Sequence, residues 1–144
     1  MTRGHLMAID CYVIGDSIAV GISQARQECH AKAHIGWTSA HWNLTYLPQV
    51  ASEHIRTLII SLGANDSAKV PTEAELRKLR SNVQADKVYW IGLALRRKPA
   101  QDKVIQRIAA EYGDVYIARP TTALSADRLH PTGIGYKALA DKTR

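Results

Sequence analysis

Phenylalanine is absent from the 144 residues, so the core must rely on Ile, Leu, Val, Ala, Tyr and Trp. Cysteine is scarce. Cys11 and Cys29 are the only two, too few for the disulfide framework of a small secreted scaffold. Both sit in apolar patterns and read as buried free thiols. Long apolar runs are also missing. Stretches such as Thr57-Leu58-Ile59-Ile60 fall far short of the ~20 residues that cross a bilayer, so no membrane span is expected. There is no internal repeat, no low-complexity tract and no Pro/Gly-rich linker, hence no visible domain boundary.

What is present fits one domain over residues 1–144, a common size for a single core. Apolar residues make up 46% and charged residues 22%, a balance that excludes a disordered or collagen-like chain. The formal charge of +6 suits anionic partners without identifying one. Five of the basic residues fall between Arg96 and Arg107, against the single acid Asp102, and this run reads as a solvated loop and helix face. No zinc-finger spacing, RNP-type sequence or long basic run points to nucleic acid, so a nucleic-acid role would rest on charge alone. The opening Met1-Thr2-Arg3-Gly4-His5-Leu6-Met7-Ala8 lacks the apolar stretch of a secretory signal. As written, the chain is expected to be cytoplasmic, or secreted if a leader has been removed. Residues 1–6 are expected to be disordered or appended.

Strand and helix patterns alternate. Met7–Ile14 is a short, mostly apolar run ending at Gly15 and reads as a buried strand. Ser17–Cys29 carries Ile18, Ile22, Ala25 and Cys29 at helical spacing. Ala31–Ile35 reads as a second strand and Ile55–Ser61 as a third. Thr72 with Glu75 forms a capping-box pattern, after which Leu76, Leu79 and Val83 mark a helix face. Lys87–Gly92 is a fourth strand. Val104, Ile105, Ile108 and Tyr112 mark another helix, stopped by Gly113, and Val115–Ala118 is a fifth strand. Pro131 opens the last helix. Strand-helix repeats with continuously apolar strands predict an α/β fold: a five-stranded parallel sheet covered on both faces, in a flavodoxin-like layout. Ligands bind beyond the carboxyl ends of the strands in such sheets.

The strand ends carry a coherent set of groups. Gly15-Asp16-Ser17 follows the first strand, Gly36-Trp37 the second, Gly63-Ala64-Asn65-Asp66 the third and Asp127-Arg128-Leu129-His130-Pro131 the fifth. A serine hydroxyl needs a base before it is a good nucleophile, and His130 suits that role. Asp127 can hold the imidazole in the required tautomer. The N–H of Ser17 at a helix start, the N–H of Gly36 and the amide of Asn65 could line an oxyanion hole.

In these blocks the chain resembles the SGNH (GDSL) hydrolase family. The family's named residues map onto Ser17, Gly36, Asn65 and His130, with Asp127 as the third triad member. The matching blocks run in the family's order from Ile14 to Pro131, although the second rests on Gly36 alone. The resemblance implies an α/β/α sandwich, no metal or other cofactor, and hydrolysis of esters or thioesters through an acyl-enzyme. The chain is short for the family, which suggests an open, shallow cleft.

Other residues divide between binding and structure. Asp16 and Asp66 read as structural carboxylates holding loop backbone. His30 and His34 read as solvent-facing rather than metal-binding. Trp37 and Trp42 are candidates for stacking on a sugar ring, with core packing as the equal alternative. Arg96, Arg97 and Lys98 follow the fourth strand; Arg96 is a candidate for substrate contact at the cleft rim, with a solvated loop as the favoured alternative. The expected substrate is an ester, with an acetylated carbohydrate such as a bacterial surface polysaccharide as the first choice. The alternatives are a lipase- or thioesterase-type activity on longer acyl chains, or a non-catalytic carbohydrate-binding module. The oligomeric state is not legible.

Overall fold

The computed structural model describes residues 8–121, 123–127 and 129–144. Residues 1–6, Met7 of the first expected strand and Arg128 of the last motif lie outside the described residues. One parallel sheet contains β1 (Ile9–Gly15), β2 (His30–Ala33), β3 (His54–Ser61), β4 (Gln84–Ile91) and β5 (Val115–Ile117). The strand order is β2-β1-β3-β4-β5, so the expected five-stranded flavodoxin-like sheet is what forms. The helices are α1 (Ser17–Ala25), α2 (Ser39–Ala51), α3 (Thr72–Asn82), α4 (Pro99–Tyr112) and α5 (Gly133–Asp141).

Alternation along the strands separates two cores. Tyr12 and Ile14, Leu58 and Ile60, and Val88 and Trp90 point to one face, where they meet Trp42, Leu76, Leu79, Ile105 and Ile108 from α2, α3 and α4. Val13, Ile59, Tyr89 and Ile91 point to the other face, against Ile18 and Ile22 of α1 and Leu139 of α5. Helices on both faces give three layers, because strands apolar on both sides cannot leave either side in water.

Several expectations are corrected. The cysteines are not free thiols: Cys11 and Cys29 are disulfide-bonded, with Cα atoms 4.9 Å apart. The cause is the register. Tyr12 pairs with His30, an offset of eighteen residues that brings Cys11 opposite Cys29. Closing a loop of that length contributes about 3 kcal/mol in the chain-entropy model. Accordingly α1 ends at Ala25 and Cys29 precedes β2 instead of lying on the helix.

Thr72 and Glu75 do not form a capping box. The Thr72 hydroxyl donates to Asp66, the Glu75 carboxylate accepts from Asn43, and α3 has no side-chain cap. The last helix starts at Gly133, capped by Thr132, while Pro131 bridges to Leu124. Helix α2 forms between β2 and β3, where the sequence pattern marks no helix.

Candidate active site

Gly15 ends β1 at φ +136° against the carbonyl of Ser61, where a Cβ would overlap that oxygen. Only glycine allows this approach. It delivers Asp16 as the N-cap of α1, its carboxylate accepting from the Ile18 N–H at 3.1 Å. Asp16 therefore does the capping, and the Ser17 hydroxyl is left to other partners. Ser17 is half-buried in the first turn of α1, at the positive end of the helix.

The partner is His130. Ser17 Oγ lies 3.0 Å from His130 Nε2, across 113 residues of chain. His130 Nδ1 lies 2.7 Å from Asp127 Oδ2. The other Asp127 oxygen accepts from the backbone N–H groups of Leu129 and His130, at 2.9 and 3.0 Å. These bonds fix the carboxylate, and the His130 side-chain bond, followed by the two backbone bonds, holds it well below the usual carboxylate range. An ionised Asp127 keeps the ring proton on Nδ1, which leaves Nε2 to accept from the Ser17 hydroxyl. The loop is held from behind. Ser125 N–H donates to the His130 carbonyl at 2.7 Å, and Thr132 N–H to the Ala123 carbonyl at 2.8 Å.

Ser17, Asn65 and His130 line one cavity of about 160 Å³ with Ile18, Ala64 and Leu129. Arg97, Lys98 and Arg119 complete much of its wall. Asn65 Nδ2 donates one hydrogen to the Trp37 carbonyl at 3.0 Å and has a second to offer. Gly36 is not among the lining residues. It is exposed, at φ +84°, and adjoins the site through that Trp37 carbonyl.

Asp66 is buried and ties two helix starts together, accepting from the Ser39 N–H and hydroxyl and from the Thr72 hydroxyl. Asp16 accepts from Ser61 as well as Ile18, and burial pushes its carboxyl up to about 6. Both carboxylates organise loops rather than facing a substrate.

The tryptophans are placed against the sugar-stacking reading. Trp42 is fully buried, with its indole N–H on the Lys32 carbonyl at 2.7 Å, so it is a core residue. A chain without Phe uses it to fill the space beneath α2. Trp37 stacks on His34 at 4.1 Å and on His41 at 3.9 Å between ring centroids. Two imidazoles so close to one indole cannot share a face, so both faces are covered. His30 and His34 are exposed, and His34 bonds the Tyr46 hydroxyl. Arg96 lies outside the Ser17 cavity, beside Arg97, Asp127 and Leu129.

Arg119, two residues beyond β5, went unnoticed in the sequence. Its position just past the carboxyl end of a strand was the available signal.

No family model and no curated protein matches this chain. Solved structures do. An acetylxylan esterase from Geobacillus stearothermophilus superposes with a TM-score of 0.65 at 20% identity, over 94% of each chain. The chain has the fold of the SGNH (GDSL) hydrolases. A GDSL-like lipase from Bacteroides thetaiotaomicron gives 0.67 at 15% identity, over 92% of this chain and 84% of that one. A putative acylhydrolase from Bacteroides fragilis gives 0.66 at 14% identity, over 94% and 87%. At these identities the likeness is one of fold, and the chemistry has to be argued from the side chains.

Proposed function

We propose that the protein is a serine ester hydrolase acting through an acyl-enzyme on Ser17. The observation that carries this reading is the Ser17–His130–Asp127 chain, with links of 3.0 and 2.7 Å, at a helix start on the carboxyl edge of the sheet. Ser17 Oγ attacks the ester carbonyl carbon as its proton passes to His130 Nε2. The oxyanion is met by the Ser17 N–H and the free hydrogen of Asn65 Nδ2; the family resemblance adds the Gly36 N–H, although Gly36 is exposed and does not line the cavity. Collapse breaks the bond to the leaving alcohol, which takes the proton from His130. Water then attacks the acyl-enzyme, gives a proton to His130, and releases the acid and the free Ser17 hydroxyl. Asp127 stabilises the imidazolium in both halves without becoming protonated.

A small acyl group on a carbohydrate is the first substrate choice, supported by the acetylxylan esterase among the similar structures. The tryptophans give it no support. One observation favours the second reading, longer acyl chains. A cavity of about 140 Å³ beside the first, sharing Ala94, Arg119 and Leu129 with it, is further lined by Leu93, Leu95, Pro120 and Leu124, with Arg96 and Thr121. Acetyl, butyryl and octanoyl p-nitrophenyl esters separate the two, since a strong octanoyl preference sinks deacetylation. A fluorophosphonate should modify Ser17, as read by peptide mass spectrometry. Absence of labelling, with no ester cleaved, would overturn the hydrolase reading and revive the non-catalytic binding module.

A further inference from the structure

Arg119 is the group the mechanism leaves unused. It lines the cavity that holds Ser17 and His130, and it lines the apolar cavity alongside. Its Nε and Nη2 are buried and, among the described residues, have no hydrogen-bond acceptor. A guanidinium carries five donors in a rigid fork, and a desolvated fork without an acceptor is held at a cost unless something occupies it. Asp16 lies near enough to act on Arg119 through its charge but makes no hydrogen bond to it, and one Asp16 oxygen is itself without a partner. Asp16 therefore steadies the cation without filling its fork. Among the described residues, the lining of the Ser17 cavity adds Arg97 and Lys98 and contains no carboxylate. Lys98 is already engaged, its Nζ donating to the Asp66 carbonyl at 2.6 Å, and Arg97 is exposed at the rim. Arg119 is thus the one of the three cations whose guanidinium holds buried donors without an acceptor among the described residues, in the cavity that contains the reacting serine.

We infer that Arg119 is a specificity-determining residue that binds an anionic group, a carboxylate in the simplest case, on the leaving-alcohol portion of the substrate. The inference rests on the hydrolase reading above and names the substrate class for that site. The side is assigned on the small-acyl reading, in which the second cavity that Arg119 also lines takes part of the alcohol rather than a long acyl chain. Planar carboxylates fit a guanidinium through two parallel bonds, which makes the contact directional as well as attractive. A neutral alcohol would leave the fork unmet.

The test compares kcat/KM for 3-acetoxybenzoate with that for its uncharged amide, 3-acetoxybenzamide. The expected result is a preference of about 10-fold or more for the anion, the scale of one charge-assisted contact. Arg119→Gln should bring that ratio to near one, and Arg119→Lys, which keeps charge but loses the fork, should retain only part of it. The ratio is read within each variant, so a general loss of folding or activity does not mimic the result. Equal rates for the two esters in the wild-type protein overturn the inference while leaving the hydrolase reading standing. Loss of the preference in Arg97→Gln but not in Arg119→Gln overturns the assignment to Arg119. A preference seen only between p-nitrophenyl hemisuccinate and p-nitrophenyl butyrate moves the anion to the acyl portion and overturns the proposed side. Failure to cleave any of the four esters, with no fluorophosphonate labelling of Ser17, removes both readings together.

Discussion

Ser52, His54 and Asp86 line a cavity at the amino ends of β3 and β4, while Ser17, His130 and Asp127 stand at the carboxyl edge of the same sheet. The residue types are identical, and in both places the histidine meets its aspartate, at 2.8 Å for His54–Asp86 and 2.7 Å for His130–Asp127. The serines differ. Ser17 faces His130, whereas the Ser52 hydroxyl donates to the Gln49 carbonyl at 2.7 Å. Helix polarity differs too. Ser17 begins α1, whose free N–H groups favour a developing anion, but Ser52 ends α2, where carbonyl oxygens oppose one. A serine, a histidine and an aspartate in one cavity are therefore not yet a reactive site. The direction of the neighbouring helix and the state of the hydroxyl decide.

The sharpest way to break that contrast is to remove each serine. Ser17→Ala should lower kcat/KM for p-nitrophenyl acetate by about 10⁵-fold or more. Ser52→Ala should leave it at the wild-type value. The reverse pattern would mean that the amino edge is the reactive one.

The aspartates give a smaller and more graded effect. Asp127→Asn should cost about 10²- to 10⁴-fold in kcat, since an amide no longer fixes the Nδ1–H tautomer or balances the imidazolium. Asp86→Asn should cost nothing. On the oxyanion side, Asn65→Ala should lower kcat by about 10²- to 10³-fold with little change in KM, because that amide acts on a charge present only in the transition state. A rise in KM at unchanged kcat would instead make Asn65 a substrate-binding residue.

Most of the carboxyl edge was legible because its elements are local. Gly15-Asp16-Ser17 and Gly63–Asp66 each sit at a strand end that apolar periodicity locates on its own, while Asp127–Pro131, in the loop between β5 and α5, is read from its own Asp-x-x-His-Pro spacing. What was hidden depends on long-range pairing. The Cys11–Cys29 bond follows from a strand register that no local pattern encodes. The capping-box pattern at Thr72 lost to Asp66, a competitor six residues earlier that also holds Ser39. Helix α2 carries Asn43, Thr45 and Pro48, which weaken its local signal, and it is held by the buried Trp42, Leu47 and Val50. Whether Trp42 faced a ligand or the core depended on that packing. Arg119 has no local signature, because a single arginine after a strand forms no motif.

The two edges also differ in how their carboxylates are housed, and this bears on stability. Asp16 is buried, with a carboxyl pushed up to about 6 by burial, against about 3.9 in an unfolded chain. Between those values the folded state holds the extra proton. Its stability from this group therefore falls as pH rises through that window, by at most about 3 kcal/mol. Asp16→Asn mimics the protonated form and can keep an acceptor for Ile18 and Ser61. Relative to wild type it should gain about 2 kcal/mol between pH 4 and pH 7.5 in urea unfolding. A difference that does not move with pH would show that Asp16 stays ionised throughout, held by Arg119.

At the amino edge the pair is in water: the side chains of His54 and Asp86 are 47% and 61% exposed. An exposed pair gains little in high dielectric, and ordering two side chains offsets part of that gain. Salt screens the remainder. His54→Ala and Asp86→Ala should each shift unfolding by less than about 1 kcal/mol, and the double variant by no more than the sum of the two. Hydrolysis of p-nitrophenyl acetate should be unchanged in all three. A loss of activity in any of them would couple the two edges through β3 and β4, and would mean that the contrast drawn from the serines does not isolate the carboxyl edge.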